Sequence, residues 1–257
     1  MDEQTLCRKR LQDLANQAYR REFVTFSDFL NLNEQNIYHA AQRDFPVQTR
    51  LFGGYDGAER QMVACIPDAL SSYTQTETAE LQYPIACLAA RPQYEKFAEK
   101  LSHRDVLGAV MHLGIDRGKI GDIVCRDGAY YLFCEEGIHA FLMENLIRVR
   151  HTVMKVERVE NVDLSGIRPE FEEKQEMIAS NRIDCIIAKA YHLSRSEAAE
   201  VIAGEQVFIN GRCITNCNQS CESGGIVSVR GRGRFIFETD ESLSKKGKLR
   251  VNFKMYL

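Results

Sequence analysis

The residues best placed to do chemistry lie in the last third of the chain, and all are cations or small hydroxyl and amide groups. Arg182, Lys189 and Arg195 fall within two short helical stretches. Arg212 follows an Asn210-Gly211 pair, and Arg230, Arg232 and Arg234 alternate with glycines in VRGRGRF. Ser194, Ser196 and Asn210 sit among them. Guanidinium and ammonium groups at this spacing suit a phosphate backbone, with the hydroxyls and the amide as positioning groups. A cation in the first turn of a helix opposes the helix dipole. Arg182 and Arg195 therefore cost stability unless an anion answers them, and the free N–H groups of a helix start favour phosphate as that anion.

The elements that must hold these groups follow from periodicity. Ser180 and Asn181 are good helix caps, with Asp184 in the first turn. Ile183, Ile186, Ile187 and Ala190 form one apolar helix face. His192-Leu193 interrupts the pattern, and Ser194 with Glu197 makes a capping box. Ala198, Ala199, Val201 and Ile202 face inward, and Gly204 closes the helix. Val207–Ile209 is extended, Asn210-Gly211 is a hairpin turn, and 226–229 and 234–237 are further strand. The chain has 257 residues with 33 Lys+Arg and 36 Asp+Glu, net −3. From Arg182 onward, 12 basic and 8 acidic residues give +4, which leaves −7 for the rest, a basic tail on an acidic body. The run KKGKLRVNFK (245–254) reads as a solvated edge or as a further RNA contact.

The middle of the chain orders as β-α-β-β-α-β: 84–90, 102–113, 122–126, 129–134, 137–147 and 152–159, with Asp127-Gly128 as a hairpin pair. That is the split βαβ, ferredoxin-like arrangement, which also underlies the RRM. Tyr131 and Phe133 share one face of the third strand, as core or as a stacking platform. Arg104, Arg117 and Lys119 beside glycines 108, 114, 118 and 121 form a second candidate phosphate surface. His103-Arg104-Asp105 is not a kinase loop, because Val110 stands where the catalytic Asn belongs. Asp105 is nevertheless the best acid for an RNA-modifying enzyme of the pseudouridine-synthase type, although the Arg-Leu-Asp string of those enzymes is incomplete. In the first 78 residues, Leu6, Leu11, Leu14 and Ala18 suit a helix face. Ser27 caps a turn, 34–43 is helical, and 47–52 and 61–66 are strands around FGGYDGAER (52–60). With its two glycine pairs that loop reads most simply as a connection.

Cys213, Cys217 and Cys221 are spaced C-x3-C-x3-C, without the paired C-x2-C or the fourth ligand of a zinc site, so no metal and no cofactor is expected. There is no apolar run of membrane-spanning length. The charged, helical start does not read as a secretory signal. Nine cysteines in that setting suggest free thiols in a reducing cytoplasm.

Residues 180–237 resemble the S4 RNA-binding domain: RID, SRSEA, a glycine and V-x-I-N-G come in that family's order. One departure is Gly224-Gly225, where the family usually has Gly-Asp. Nearly end to end, through FGGYDGAER, HRDVLGAVMHLGIDRGKIGDI and the S4 segment, the chain resembles the YlmH family of bacterial and plastid S4-domain proteins. The resemblance implies an α+β protein of three small domains. These are an α/β N-terminal domain (1–78), a ferredoxin-like or RRM-like RNA-binding middle domain (79–165) and, after a linker (166–179), a C-terminal S4 domain of αL type (180–257). It further implies a non-enzymatic binder of structured RNA, ribosomal or transfer RNA. Such a protein would be ribosome-associated, with stalled large subunits carrying peptidyl-tRNA as one setting, and linked to cell division by gene position.

Overall fold

The computed structural model describes residues 3–70, 81–160, 171–243 and 247–256. The chain is a mixed α+β protein that divides into two compact units, Met1–Arg168 and Pro169–Leu257. The boundary expected at residue 78 lies outside the described residues, and the first two expected domains cluster as a single unit.

In the first unit, α1 (Glu3–Arg21) buries Cys7, Leu11, Ala15 and Ala18 at i, i+4, i+8 and i+11. Leu6, expected on that face, points out and is 50% exposed. α2 (Leu32–Ala41) starts at Asn31, whose side chain accepts from the Glu34 N–H while Glu34 accepts from the Asn31 N–H. Ser27 is therefore not the cap. Its hydroxyl donates to the Asp28 carbonyl and accepts from the Val63 N–H. β1 (Thr25–Phe26), β2 (Gln48–Phe52) and β3 (Met62–Ile66) form an antiparallel sheet of order β1-β3-β2.

The same unit continues with β4 (Ile85–Pro92), α3 (His103–His112), β5 (Ile120–Arg126), β6 (Ala129–Glu135), α4 (His139–Asn145), β7 (Arg148–Val149) and β8 (Thr152–Arg158). The antiparallel sheet order is β5-β6-β4-β8-β7. Asp127 and Gly128 both have positive φ, 49° and 72°, as a two-residue type I′ turn requires. One sheet face packs under the helices: Leu88, Ala90 and Leu132 meet Val106, Val110, Leu142 and Leu146.

The second unit is β9 (Phe171–Ile178), α5 (Ile183–Ala190), α6 (Arg195–Ala203), β10 (Val207–Ile209), β11 (Arg212–Cys213), β12 (Gly225–Val229), β13 (Gly233–Leu243) and β14 (Leu249–Tyr256). Its antiparallel sheet runs β11-β10-β12-β13-β14-β9. Part of the expected linker is thus a strand, paired with β14 from Phe171↔Tyr256 to Ile178↔Leu249. A charge-rich run, FEEKQEMI, carries little apolar signal because it forms the rim of the sheet. The helical isoleucines and Ile202 pack on Val207, Val227, Phe235, Phe237 and Phe253.

Local chemistry differs from expectation at three places in this unit. The N-cap of α5 is Arg182, with no side-chain cap, rather than Ser180 or Asn181. Gly204 closes α6 as expected, its N–H donating to the Glu200 carbonyl, but at φ −76°, and it is Glu205, at φ 55°, that makes the left-handed turn after the helix. The Gly224-Gly225 departure has a steric reason: a Cβ on Gly225 would lie 2.6 Å from Cys221 Sγ and 3.0 Å from the Glu222 carbonyl.

Candidate nucleic-acid interface

The start of α6 is built by a capping box. Ser194 Oγ accepts from the Glu197 N–H at 3.2 Å, Glu197 accepts from the Ser194 N–H at 2.7 Å, and Ser196 Oγ lies 3.0 Å from Ser194 Oγ. The hydrogen bonds from Ser194 hold the Glu197 carboxyl below its usual range, and the nearby Arg232 charge adds to this. Arg232 also bears on Tyr191, whose hydroxyl is pushed up to about 12 by burial, with Arg232 opposing. The β12–β13 turn and the start of α6 are therefore electrostatic neighbours. Arg230 lies in the same turn, its Cζ 5.0 Å from the Phe208 ring centroid, and its N–H donates to the Gln206 carbonyl. Arg195, Arg230 and Arg232 are exposed and have no carboxylate partner among the described residues. The first-turn N–H groups of Arg195 and Ser196 have no intrahelical acceptor. Arg195 and Arg232 thus bring donors to one serine-capped turn, and Arg230 stands two residues before Arg232 in the β12–β13 turn.

The other expected residues are placed differently. Arg182 forms a forked ion pair with Asp184, at 3.1 and 2.6 Å, so the anion that answers this cation is a side chain of its own helix. Lys189 pairs with Glu176 at 3.0 Å. Asn210, at φ 48°, accepts from the Ile226 N–H at 2.8 Å and fastens the hairpin to β12, which is a structural role. Arg212 is exposed without an ion-pair partner among the described residues. It pairs with Ile209, roughly 10 Å along β10 from Gln206 at ~3.3 Å per residue, away from Arg230. Of 245–254, residues 245 and 246 lie outside the described residues, and Lys254 is bound to Glu238 at 2.7 Å.

In the first unit the expected phosphate surface is largely absorbed by the fold. Lys119 bridges Asp28 at 2.9 Å and Glu135 at 2.6 Å. Arg117 donates to the carbonyls of Ile120 and Gly121, and burial, with Arg60 beside it, lowers its guanidinium to about 10. Only Arg104 of the three is exposed without an ion pair among the described residues. Asp105 is the N3 residue of α3. It accepts from the Ser102 N–H and hydroxyl at 2.8 and 2.6 Å and pairs with Arg150 at 2.7 Å. The HRD string is a helix start, and an Asp so engaged is not set up as a nucleophile.

The helix-free face of the five-stranded sheet is where an RRM would stack bases. Here it is covered from within the same unit. Phe133 is 1% exposed and packs with Phe29 and Met62, and Tyr55 stacks on it at 4.9 Å between centroids. FGGYDGAER is the covering loop, so it is more than a connection. The Asp122 carboxylate accepts from Tyr55 Oη at 2.8 Å and from the N–H groups of Glu59 and Arg60 at 2.7 and 3.1 Å. Buried Arg60 donates to the carbonyls of Ile120, Phe29 and Arg117. Added Cβ atoms at Gly54 and Gly121 would lie 2.5 Å from Phe133 and 2.7 Å from Phe29. Tyr131, on the same face, is half-buried, and its hydroxyl lies 3.4 Å from Arg91.

Sequence reasoning missed Asp122, Phe208 and Tyr191, and it saw Arg60 only as a possible ligand-binding residue of its loop, not as a buried donor to main-chain carbonyls. The glycines of the two long motifs were the available signal for Asp122 and Arg60, since backbone packed that closely needs a docking partner. Among the described residues no group of three or more His, Cys, Asp or Glu is gathered as metal ligands would be, and Cys221 is buried with its thiol pushed up to about 12. No helix of the described residues is long and apolar enough to cross a membrane.

Comparison with known proteins finds similarity in sequence and in fold. Residues 79–163 match the family described as "Putative RNA-binding domain in YlmH". The ribosome-associated protein quality control protein P2 of Bacillus subtilis (strain 168) is 27% identical over 240 residues, 93% of this chain and 89% of that protein. The solved structure of the cell division protein ylmH from Streptococcus pneumoniae aligns with 16% identity and a TM-score of 0.48, over 62% of this chain and 93% of that one. With the family match in the middle and the Bacillus relative spanning nearly its whole length, the chain is similar to the YlmH family along most of its sequence.

Proposed function

We propose that this protein binds structured ribosomal or transfer RNA on the ribosome and catalyses no reaction, gripping the RNA through its C-terminal, S4-like unit. The observation that carries this reading is the serine-capped start of α6 and the β12–β13 turn, whose Arg195, Arg230 and Arg232 are without carboxylate partners among the described residues. Elsewhere, Arg182, Lys189, Arg117 and Lys119 are taken up by intramolecular partners. Cations left unneutralised beside free helix N–H donors favour a polyanion. The family match to an RNA-binding domain and the ribosome-associated name of the Bacillus relative support the choice of RNA and of ribosome. Binding to stalled large subunits that carry peptidyl-tRNA, a link to cell division and a cytoplasmic location belong to the same proposal.

The middle domain, in this reading, contributes through a surface other than its covered sheet face, with Arg104 as the candidate cation. Binding to purified ribosomal subunits and to transfer RNA, titrated over salt, tests the proposal. Each phosphate contact contributes a slope of about −0.7 to −0.9 in log affinity against log salt. Affinity that is independent of salt, or unchanged by Arg195→Ala with Arg232→Ala, would overturn it.

A further inference from the structure

Beside the start of α6 lies a groove of about 200 Å³, bounded by Met177, Ile178, Ala188 and Leu193, with Lys189 and Arg195 at its rim. We propose that this groove receives a single unstacked RNA base, with the attached phosphate held by Arg195; the idea rests on the RNA-binding reading above.

Three observations point to that occupant. Apart from the two cations and the Cys185 thiol, the lining side chains are alkyl or thioether, which suits the flat face of a base and offers few groups to read its edges. Met177 is 39% exposed, so an apolar side chain already stands open to water, and its soft, unbranched sulfur chain adapts to different ring shapes. The volume falls below the ~300–1,000 Å³ typical of drug-sized ligand sites, which limits the guest to something smaller. Finally, among the described residues no Asp or Glu lines the groove, whereas both of its charged residues are cations. Lys189 keeps its Glu176 contact at 3.0 Å but is 42% exposed, and Arg195 has no carboxylate partner among the described residues. An apolar floor with a cationic rim complements a nucleotide better than a neutral side chain.

The consequence is selectivity for shape. A base inside a duplex cannot leave its stack cheaply, whereas bases of loops, bulges and ends can. The groove would favour such single-stranded elements and tolerate different bases, because its walls carry no fixed hydrogen-bonding pattern.

The test uses the full-length chain with its methionine and leucine methyl groups isotopically labelled for NMR. AMP, UMP, ribose 5-phosphate and inorganic phosphate are titrated in turn. The expected result is that AMP and UMP both shift the Met177 and Leu193 methyl resonances, that ribose 5-phosphate and phosphate do not, and that Arg195→Ala weakens the AMP response severalfold. A second arm compares an RNA stem–loop with the same RNA carrying an abasic loop position. Wild type should prefer the intact loop roughly five- to tenfold, the low end of what one stacked base contributes. Met177→Ala, a change at an exposed position, should erase that preference while the salt dependence stays. Unmoved methyl groups at millimolar AMP, or equal shifts with ribose 5-phosphate, would overturn the groove. Salt-dependent binding of the stem–loop with no sensitivity to the abasic site would overturn the groove and leave RNA binding standing. Failure of the wild type to bind any RNA would overturn both. Competition by an apolar peptide but not by nucleotides would reassign the groove to protein.

Discussion

The two larger sheets of this molecule treat their cations in opposite ways. Around the five-stranded sheet, guanidinium and ammonium groups are construction material. Arg60 and Arg117 satisfy main-chain carbonyls, and Lys119 ties Asp28 to Glu135. Around the six-stranded sheet, several cations of the same kind are left to solvent at the α6 start and the β12–β13 turn. The aromatic residues divide likewise. Phe133 is sealed under Tyr55, while Phe208 lies at 5.0 Å under an exposed Arg230. A positive charge in a sequence thus says little about binding until its acceptors are known. Where a carbonyl or carboxylate is within reach, the charge holds the fold together.

That contrast can be broken at several points. The largest effect should come from Asp122→Ala, which leaves two backbone N–H groups and a tyrosine hydroxyl without their acceptor. A loss of about 3 kcal/mol is expected in urea denaturation, since each stranded donor costs about 1–3 kcal/mol. The salt dependence of RNA binding should be untouched. Next, Gly225→Ala drives a methyl group into Cys221 Sγ and should cost about 2 kcal/mol, within the ~1–3 kcal/mol of overpacked cores. Cys221→Ala in the same chain should return part of that loss, and a double-mutant cycle in thermal unfolding measures it. If the cations of the two regions are truly different, Arg195→Ala with Arg232→Ala should flatten the salt slope by about 1.4–1.8 with stability changed by less than ~0.5 kcal/mol. Lys119→Ala should do the reverse, lowering stability and leaving the slope alone. Arg182→Ala belongs between them, with a slope change below one contact.

The smallest effect concerns acid. The Glu197 carboxyl, held low by the Ser194 hydrogen bonds, is depressed on folding. The stability it supplies is present above the unfolded-state value and disappears as pH falls through the folded one. Glu197→Gln should therefore keep the cap at neutral pH and make the stability curve flatter on the acid side below about pH 4.5. An acid limb that is unchanged in the variant would remove the capping carboxylate from the account.

Much of the fold was legible because short-range rules agreed with one another. The isoleucine face of α5, the SRSE box, the two left-handed hairpin pairs and the succession of strands and helices over 85–158, apart from the short β7, follow from local spacing. What could not be read was pairing at a distance. Asp184 claims Arg182 two residues away, but Glu176 claims Lys189 from another element, and Asp122 reaches back more than sixty positions to Glu59 and Arg60. The candidate site shrank for that reason, from a broad set of cations to a few around one turn. FGGYDGAER could be seen as unusual, but its partner could not, because a carboxylate that caps a remote loop looks like any other in the sequence. β9 was invisible for a different reason: half of its length is glutamate and lysine, and only its pairing with β14 makes it a strand.

The pairing of β9 with β14 also bears on how the C-terminal region can be cut. A fragment beginning at Ser180 would retain both helices and the hairpin but would bare the hydrogen-bonding edge of β14 beside Val251 and Phe253. Unblocked edges of that kind invite strand exchange and aggregation between copies. The acidic run from Phe171 to Ile178 is thus a guard rail, and a soluble fragment of the second unit has to begin upstream of it.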